Sequence, residues 1–255
     1  MKIGTYNIWN DRRHYDARMD LLPGVIREEN FDFLALQEVR DEGVVERIKG
    51  ECGFKHHFWK QYHDCQEGLA VYSNYELKNK WTNWDENTDI HNSGIMSVNI
   101  EVNDKVLSFM NVHLDCGLST NRETEIIKGM NYLNSQTAEY KILLGDFNTS
   151  PNSKVYRFLN GQESLNGSNA EWIDLAESYC IRNQLPLEAT LDFLNNPRWF
   201  EEHVLYTPSR VDWILLQDPY PGPNPKFNHY KLMGKELHDG ITPSDHYGVV
   251  VDLDF

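Results

Sequence analysis

The chain has 255 residues, 40% hydrophobic and 12% aromatic, a composition that excludes collagen-like, coiled-coil and disordered classes. No stretch approaches the ~18 consecutive apolar residues of a membrane span. Lysine and arginine number 24 against 39 aspartates and glutamates, a net charge of −15. That balance opposes the basic footprint of a nonspecific duplex-DNA binder and suits carboxylates gathered around a divalent cation.

Residues 2–8 form the first short apolar run, the mark of a strand buried on both faces. Met19, Leu22, Val25 and Ile26 then follow helical spacing over residues 16–30, and Pro23 leaves the end or the straightness of that helix open. Apolar runs at 31–39, 68–72, 95–102 and 106–114 predict further strands. Ile126, Ile127, Met130 and Leu133 predict an amphipathic helix over 121–136. After a run at 141–144, Ser153 is placed to cap a short helix carrying Val155, Phe158 and Leu159. Runs at 211–216 and 248–253 complete the predicted strands. Between them, prolines at 219, 221, 223 and 225 predict a stiff, extended surface loop. Strands mixed with helices in this way read as α/β or α+β, sheets packed together with helices outside. No linker divides the chain, so a single domain over 1–255 is expected.

Cys52, Cys65, Cys116 and Cys180 stand apart without a C-x-x-C pair, which predicts reduced, mostly buried thiols rather than a zinc ribbon or a disulfide framework. No charged-then-apolar leader opens the sequence. A cytoplasmic protein is therefore expected, or a secreted one whose leader has been removed.

The informative residues sit where apolar runs stop. Thr5-Tyr6-Asn7-Ile8 ends the first run, Leu36-Gln37-Glu38-Val39 the second, and Asn111-Val112-His113-Leu114-Asp115 a middle one. Leu144-Gly145-Asp146-Phe147-Asn148 follows another, Arg210-Val211-Asp212-Trp213 opens a late one, and Ser244-Asp245-His246 precedes the last. Taken singly, an Asn or Asp at such a place is an ordinary turn former. Taken in this order, the set resembles the endonuclease/exonuclease/phosphatase superfamily from Thr5 to His246, with Gly68-Leu69-Ala70-Val71-Tyr72-Ser73 as that family's glycine-led internal strand.

The resemblance implies a four-layer α/β (α+β) sandwich of the deoxyribonuclease I-like kind, two packed mixed β-sheets flanked by helices, with the active site at one edge. It implies a hydrolase that attacks phosphoester bonds in line with water. Such chemistry needs an activated water, neutralised phosphoryl oxygens and a stabilised leaving oxygen. Mg²⁺, with Mn²⁺ as the other candidate ion, takes oxygen ligands and only one or two protein carboxylates. By resemblance Glu38 is the principal metal ligand, and Asn7, Asp146, Asn148 and Asp245 complete the metal and nucleophile shell. His246 matches the catalytic histidine, Asp212 the carboxylate that hydrogen-bonds it, and His113 a donor to a phosphate oxygen. Asn148 is assigned to orient water or phosphate, and either His246 or Asp146 deprotonates the water. Asp174 resembles a recurring aspartate, with a helix cap as its other reading.

Substrate must be read from loops. Where many relatives carry an arginine, this chain has His91-Asn92-Ser93-Gly94; Arg122 and Arg12 or Arg13 are the candidate replacements. Trp9, Trp81, Trp84, Phe193, Trp199, Phe200 and Tyr206 either stack a substrate or plug loops onto the core. No apolar hairpin or basic amphipathic helix suggests a bilayer partner. The expected substrate is a nucleic-acid or nucleotide-like phosphodiester. A small or lipid-derived phosphoester is the alternative, and a non-catalytic binding protein the remote one, disfavoured because every site position is present. No protein partner is called for, and a monomer is expected.

Overall fold

The computed structural model describes residues 1–63, 65–84, 92–200, 202 and 204–255. In chain order the elements are β1 (Lys2–Asn7), α1 (Tyr15–Glu29), β2 (Phe33–Val39), α2 (Glu42–Cys52), β3 (His56–Gln61), β4 (Gly68–Ser73), β5 (Lys78–Thr82) and β6 (Gly94–Val102). They continue with β7 (Lys105–His113), α3 (Ser119–Ser135), β8 (Tyr140–Asp146), α4 (Lys154–Leu159), β9 (Trp172–Asp174), α5 (Leu175–Asn183), β10 (Asp212–Gln217), β11 (Lys226–Met233) and β12 (Gly248–Asp254). Among the described residues they build two six-stranded sheets, ordered β11-β12-β1-β2-β4-β3 and β5-β6-β7-β8-β10-β9. Both are mixed: β1–β2 and β7–β8 are parallel, while β1–β12 and β8–β10 are antiparallel.

Strand periodicity explains the layers. On β2, Phe33 and Ala35 face the other sheet, where Phe33 stacks on Phe109 with ring centroids 3.9 Å apart. Leu34 and Leu36, one step along, face outward onto Met19, Leu22 and Ile26 of α1 and Val45 and Ile48 of α2. On β8, Ile142 and Leu144 point inward, while Leu143 meets the layer of α3 and α4. Both faces of each central strand are thus buried, which is why those strands read as continuous apolar runs. Helix, sheet, sheet, helix is the four-layer sandwich that the motifs imply.

Three local expectations hold with small shifts in boundary. The 16–30 helix runs through Pro23 as α1. An interior proline costs about 3 kcal/mol, and burying Met19, Leu22 and Ile26 at roughly 1.5–3 kcal/mol each outweighs it. The 121–136 helix begins two residues earlier, and Ser153 caps α4 by accepting from the Tyr156 amide at 3.2 Å. One expectation is corrected. All four cysteines are free, but only Cys180 is buried, Cys52 and Cys65 being partly exposed and Cys116 exposed. Among the described residues no helix is long and apolar enough to cross a membrane.

Two polar features cross this apolar frame. Between the sheets, Gln37 Nε2 donates to Thr5 Oγ1 (3.0 Å) and to Asn111 Oδ1 (2.7 Å), and Asn111 Nδ2 donates to the Leu36 and Ala70 carbonyls (3.0 and 3.1 Å). Beside β9 and β10, Arg210 Nη1 donates to Asp174 Oδ2 at 2.6 Å, where the Tyr156 hydroxyl also donates at 2.9 Å. Both charges are buried. Arg210→Ala leaves Asp174 without its counter-charge and is expected to destabilise the fold by about 3–5 kcal/mol, read by chemical denaturation.

Candidate active site

The topology carries the motif residues to one edge. β1 ends at Asn7, β7 at His113 and β8 at Asp146, all running toward the same rim. β10 runs the other way, so its first residue, Asp212, pairs with Asp146. β12 is likewise antiparallel to β1, which returns the segment holding Asp245 and His246 to Asn7. Glu38 lies at a register break in β2, between Leu36 and Val39, and its left-handed backbone (φ 58°) is an uncommon conformation for glutamate.

Backbone constraints account for much of the motif spelling. Gly145 has φ 140°, and a Cβ there would lie 2.0 Å from the Val112 carbonyl oxygen, so only glycine fits before Asp146. Asn148, also left-handed at φ 48°, donates Nδ2 to the Leu114 carbonyl at 2.8 Å, while its amide donates to Asp146 Oδ1 at 2.8 Å. The Ser244 hydroxyl donates to the Asn7 carbonyl at 2.7 Å and accepts from the His246 amide at 3.2 Å, which pins the Ser-Asp-His turn to β1.

Asn7 Nδ2 donates to Glu38 Oε1 at 2.9 Å and Asp146 Oδ2 at 3.0 Å, bridging the two sheets. His113 Nε2 stands 3.9 Å from Glu38 Oε1 and 3.8 Å from Asp146 Oδ2. His246 Nδ1 is 2.9 Å from Asp212 Oδ2, and its Nε2 is 4.0 Å from Asp146 Oδ2. Burial opposes charge on His246, yet Asp212, Asp245 and Asp146 overcome it and hold the imidazole well above its ordinary pKa. Burial pushes Asp245 up to about 6, with Glu38 and Asp146 adding to the rise and His246 and Arg198 resisting it.

The structure therefore brings Asn7, Glu38, His113, Asp146, Asn148, Asp212, Asp245 and His246 to one rim. Asp174 does not join them: it caps α5 by accepting from the Glu177 amide at 3.0 Å and pairs with Arg210. Arg122 is tied down, donating to the Asp115 carbonyl at 2.6 Å. Arg12 is exposed, Arg13 pairs with Glu202, and His91 lies outside the described residues. Trp84 is buried and Trp81 stacks on Tyr132 at 4.0 Å, so both are plugs, whereas Phe200 and Tyr206 are exposed.

Two residues of the rim escaped the motif reading. Asn10 donates its amide to Glu38 Oε2 at 2.7 Å and its Nδ2 to Glu67 Oε2 at 3.0 Å. Burial and the nearby Glu38 raise the Glu67 carboxyl. An acid directly before the glycine-led strand was the signal available for Glu67.

Among the described residues, the His/carboxylate group whose ligand atoms lie within 4.8 Å of one another is Asp146, Asp212 and His246. Asp212 Oδ2 and His246 Nδ1 are already paired with each other, which leaves Asp212 Oδ1 and His246 Nε2 as the ligand atoms there. The Glu38 side is the better cation site. It offers carboxylate oxygens from Glu38, Asp146 and Asp245 without a thiol, the donor set that suits Mg²⁺ or Mn²⁺. Asn7, expected as a ligand, instead turns its Nδ2 to Glu38 and Asp146 and its Oδ1 to the Trp9 amide. Glu38 also keeps 22% of its side chain accessible. Asp245, raised chiefly by its burial and further by Glu38 and Asp146, is a carboxyl whose charged form a divalent cation would favour.

Comparison by sequence with curated proteins yields no match. Among solved structures, TDP2 of D. rerio complexed with a single strand DNA product is similar, with a TM-score of 0.80 at 19% identity, over 100% of this chain and 99% of that one. Truncated TDP2 of Caenorhabditis elegans gives 0.77 at 16% identity, over 100% and 97%. A functionally unknown conserved protein from Enterococcus faecalis V583 gives 0.74 at 17%, over 99% of each chain. These likenesses establish the fold. The sequence profile of the Endonuclease/Exonuclease/phosphatase family matches residues 4–246, from β1 to the histidine of the Ser-Asp-His turn. The chain belongs to that family of phosphoester hydrolases.

Proposed function

We propose that this protein is a divalent-metal-dependent phosphodiesterase acting on a nucleic-acid or nucleotide-like strand. One observation carries the reading: the buried Asp212–His246 pair faces Asp146 across 4.0 Å, beside the oxygen donors around Glu38. The D. rerio TDP2 structure, which holds a single strand DNA product on the same fold, supports the substrate class.

Asp212 accepts from His246 Nδ1–H, which fixes the tautomer and leaves Nε2 to face the substrate. The imidazolium that the carboxylates favour is suited to donate Nε2–H to a phosphoryl oxygen. His113 is placed to serve a second oxygen. Asp146, steered by Asn7 Nδ2 and the Asn148 amide, is the carboxylate positioned to accept the proton of the attacking water. When bound at Glu38 and its neighbours, the cation supplies charge neutralisation at the phosphoryl group.

The test is a phosphoester panel of single-stranded DNA, duplex DNA, RNA, sphingomyelin, inositol phosphates and bis-p-nitrophenyl phosphate, run with Mg²⁺ and with Mn²⁺. Turnover is expected on single-stranded DNA and on bis-p-nitrophenyl phosphate, and excess chelator should abolish it. Turnover confined to sphingomyelin or inositol phosphates would move the substrate to the lipid-derived or small-molecule class. Undiminished activity in chelator would overturn the metal dependence. Mg²⁺ at a hundred times its Kd should also stabilise the fold by about 2.7 kcal/mol, read as a rise in Tm.

A further inference from the structure

Next to the catalytic rim lies a cavity of about 450 Å³ whose walls include Trp9, Arg13, Arg198, Phe200 and Glu202. The Trp9 amide donates to Asn7 Oδ1 at 3.0 Å. Beside Arg198, Asn196 accepts from the Arg198 amide at 3.1 Å and donates to the Ser244 carbonyl at 3.0 Å, one residue before Asp245. The cavity is therefore anchored to the catalytic rim from two sides.

Its charge stands against the rest of the molecule. In a chain of net charge −15, the guanidiniums of Arg18, Arg198 and Arg13 gather 4.1, 4.5 and 6.0 Å from the Trp9 ring centroid. Arg18 is structural: it donates to the carbonyls of Ile8, Trp9, Asp11, Arg13 and Pro243, and so folds the segment after β1 around itself. Arg13 and Arg198 are different. Both point an Nη1 at one oxygen, Glu202 Oε1, with Arg198 at 2.8 Å. Arg198 has only 9% of its side chain exposed and a buried Nε without an acceptor, whereas Arg13 is 51% exposed. Two guanidiniums converging on a single carboxylate oxygen form a receptor for a larger anion. The exposed Arg13–Glu202 pair contributes little to stability, and a phosphate that takes the place of the carboxylate leaves the less exposed Arg198 paired as well.

Phe200, 59% exposed on the same wall, adds a flat apolar surface suited to stacking a base. Resting on the phosphodiesterase reading above, we propose that this cavity binds the phosphate flanking the scissile one, and that Glu202 is a built-in anion occupying the site until substrate arrives. The flanking phosphate comes from the next linkage of a strand or from the second group of a small bisphosphate.

Binding is measured without divalent cation, so that turnover plays no part. The probes are fluorescein-labelled hexathymidylate and its neutral methylphosphonate analogue, followed by anisotropy. The wild-type chain should prefer the charged probe by about tenfold. Arg13→Gln, at an exposed position, should remove most of that preference, and Arg198→Lys should lower it by losing the forked donor while keeping the charge. Lys226→Gln, on the remote edge strand β11, should leave it intact. Glu202→Gln should tighten the charged probe several-fold, a gain that a misfolded variant would not show. An unchanged preference in Arg13→Gln, or unchanged or weaker binding in Glu202→Gln, would overturn the proposal. Competition by inositol bisphosphate that strengthens in Glu202→Gln identifies the small bisphosphate as the source of the phosphate. Competition by unlabelled hexathymidylate alone identifies the strand. Hydrolysis of bis-p-nitrophenyl phosphate by the wild-type chain with Mg²⁺ is scored separately, so failure of the catalytic reading is told apart from failure of the pocket.

Discussion

Glu38→Gln is expected to lower turnover by on the order of 10³-fold, even at saturating metal, because charge stabilisation by a bound cation is worth several kcal/mol in such reactions. The substitution keeps the shape and the backbone turn of Glu38 but removes its charge. Asn7 Nδ2 and the Asn10 amide both donate to this carboxylate, so glutamine leaves one of them facing an amide nitrogen instead of an acceptor. Against that local loss, one negative charge leaves a crowded cluster, and Asp245 should relax downward because Glu38 contributes to its raised pKa. The metal-free variant should therefore stay folded, while the rise in Tm caused by Mg²⁺ in the parent chain should disappear. Calorimetric titration with Mg²⁺ beside a turnover assay separates the two effects. Full activity of this variant in excess chelator would remove Glu38 from the proposed mechanism.

The second large effect concerns Asp212 and His246. His246→Ala removes the proposed donor to phosphate. Asp212→Asn keeps the volume but no longer stabilises the imidazolium, and its amide can select the wrong tautomer. Each single variant should lose turnover by roughly 10²–10⁴-fold. The double variant should be little worse than the worse single, because residues that act as a unit are not additive. Metal-induced stabilisation should survive in all three, since neither residue is a proposed primary ligand. Losses that multiply would show that the two side chains act independently, and the 2.9 Å contact would then have only a structural meaning.

The convergence of the candidate site residues was legible because they are held at strand ends by local constraints that each leave a mark in the sequence. Gly145 is required by its backbone, Asn148 and Glu38 sit in left-handed turns, and Ser244 ties its turn to β1. The central strands were legible because both faces are buried. The edge strands β3, β5 and β11 were not, since they are partly exposed and polar residues interrupt any apolar run. α2 went unread although Asp41 caps it, because it buries fully only Val45 and Ile48. Glu67 belongs to the rim through the pairing of β2 with β4, and Arg198 reaches it from a long connection between α5 and β10. Such placements depend on partners far along the chain, and beyond the acid before the glycine-led strand at Glu67 no local pattern encodes them.

The Gln37–Asn111 tie bears on how the chain assembles itself. Greasy side chains between two sheets tolerate sliding, because one aliphatic group can replace another at modest cost. Amides do not. A slip of one residue would strand Gln37 Nε2 and the Asn111 amide in a dry interior, at about 1–3 kcal/mol for each orphan. Glu38 follows Gln37 by one position and His113 follows Asn111 by two, so the same slip would also scatter the proposed catalytic rim. Misaligned halves are therefore rejected on thermodynamic grounds during assembly, before any substrate could report the error.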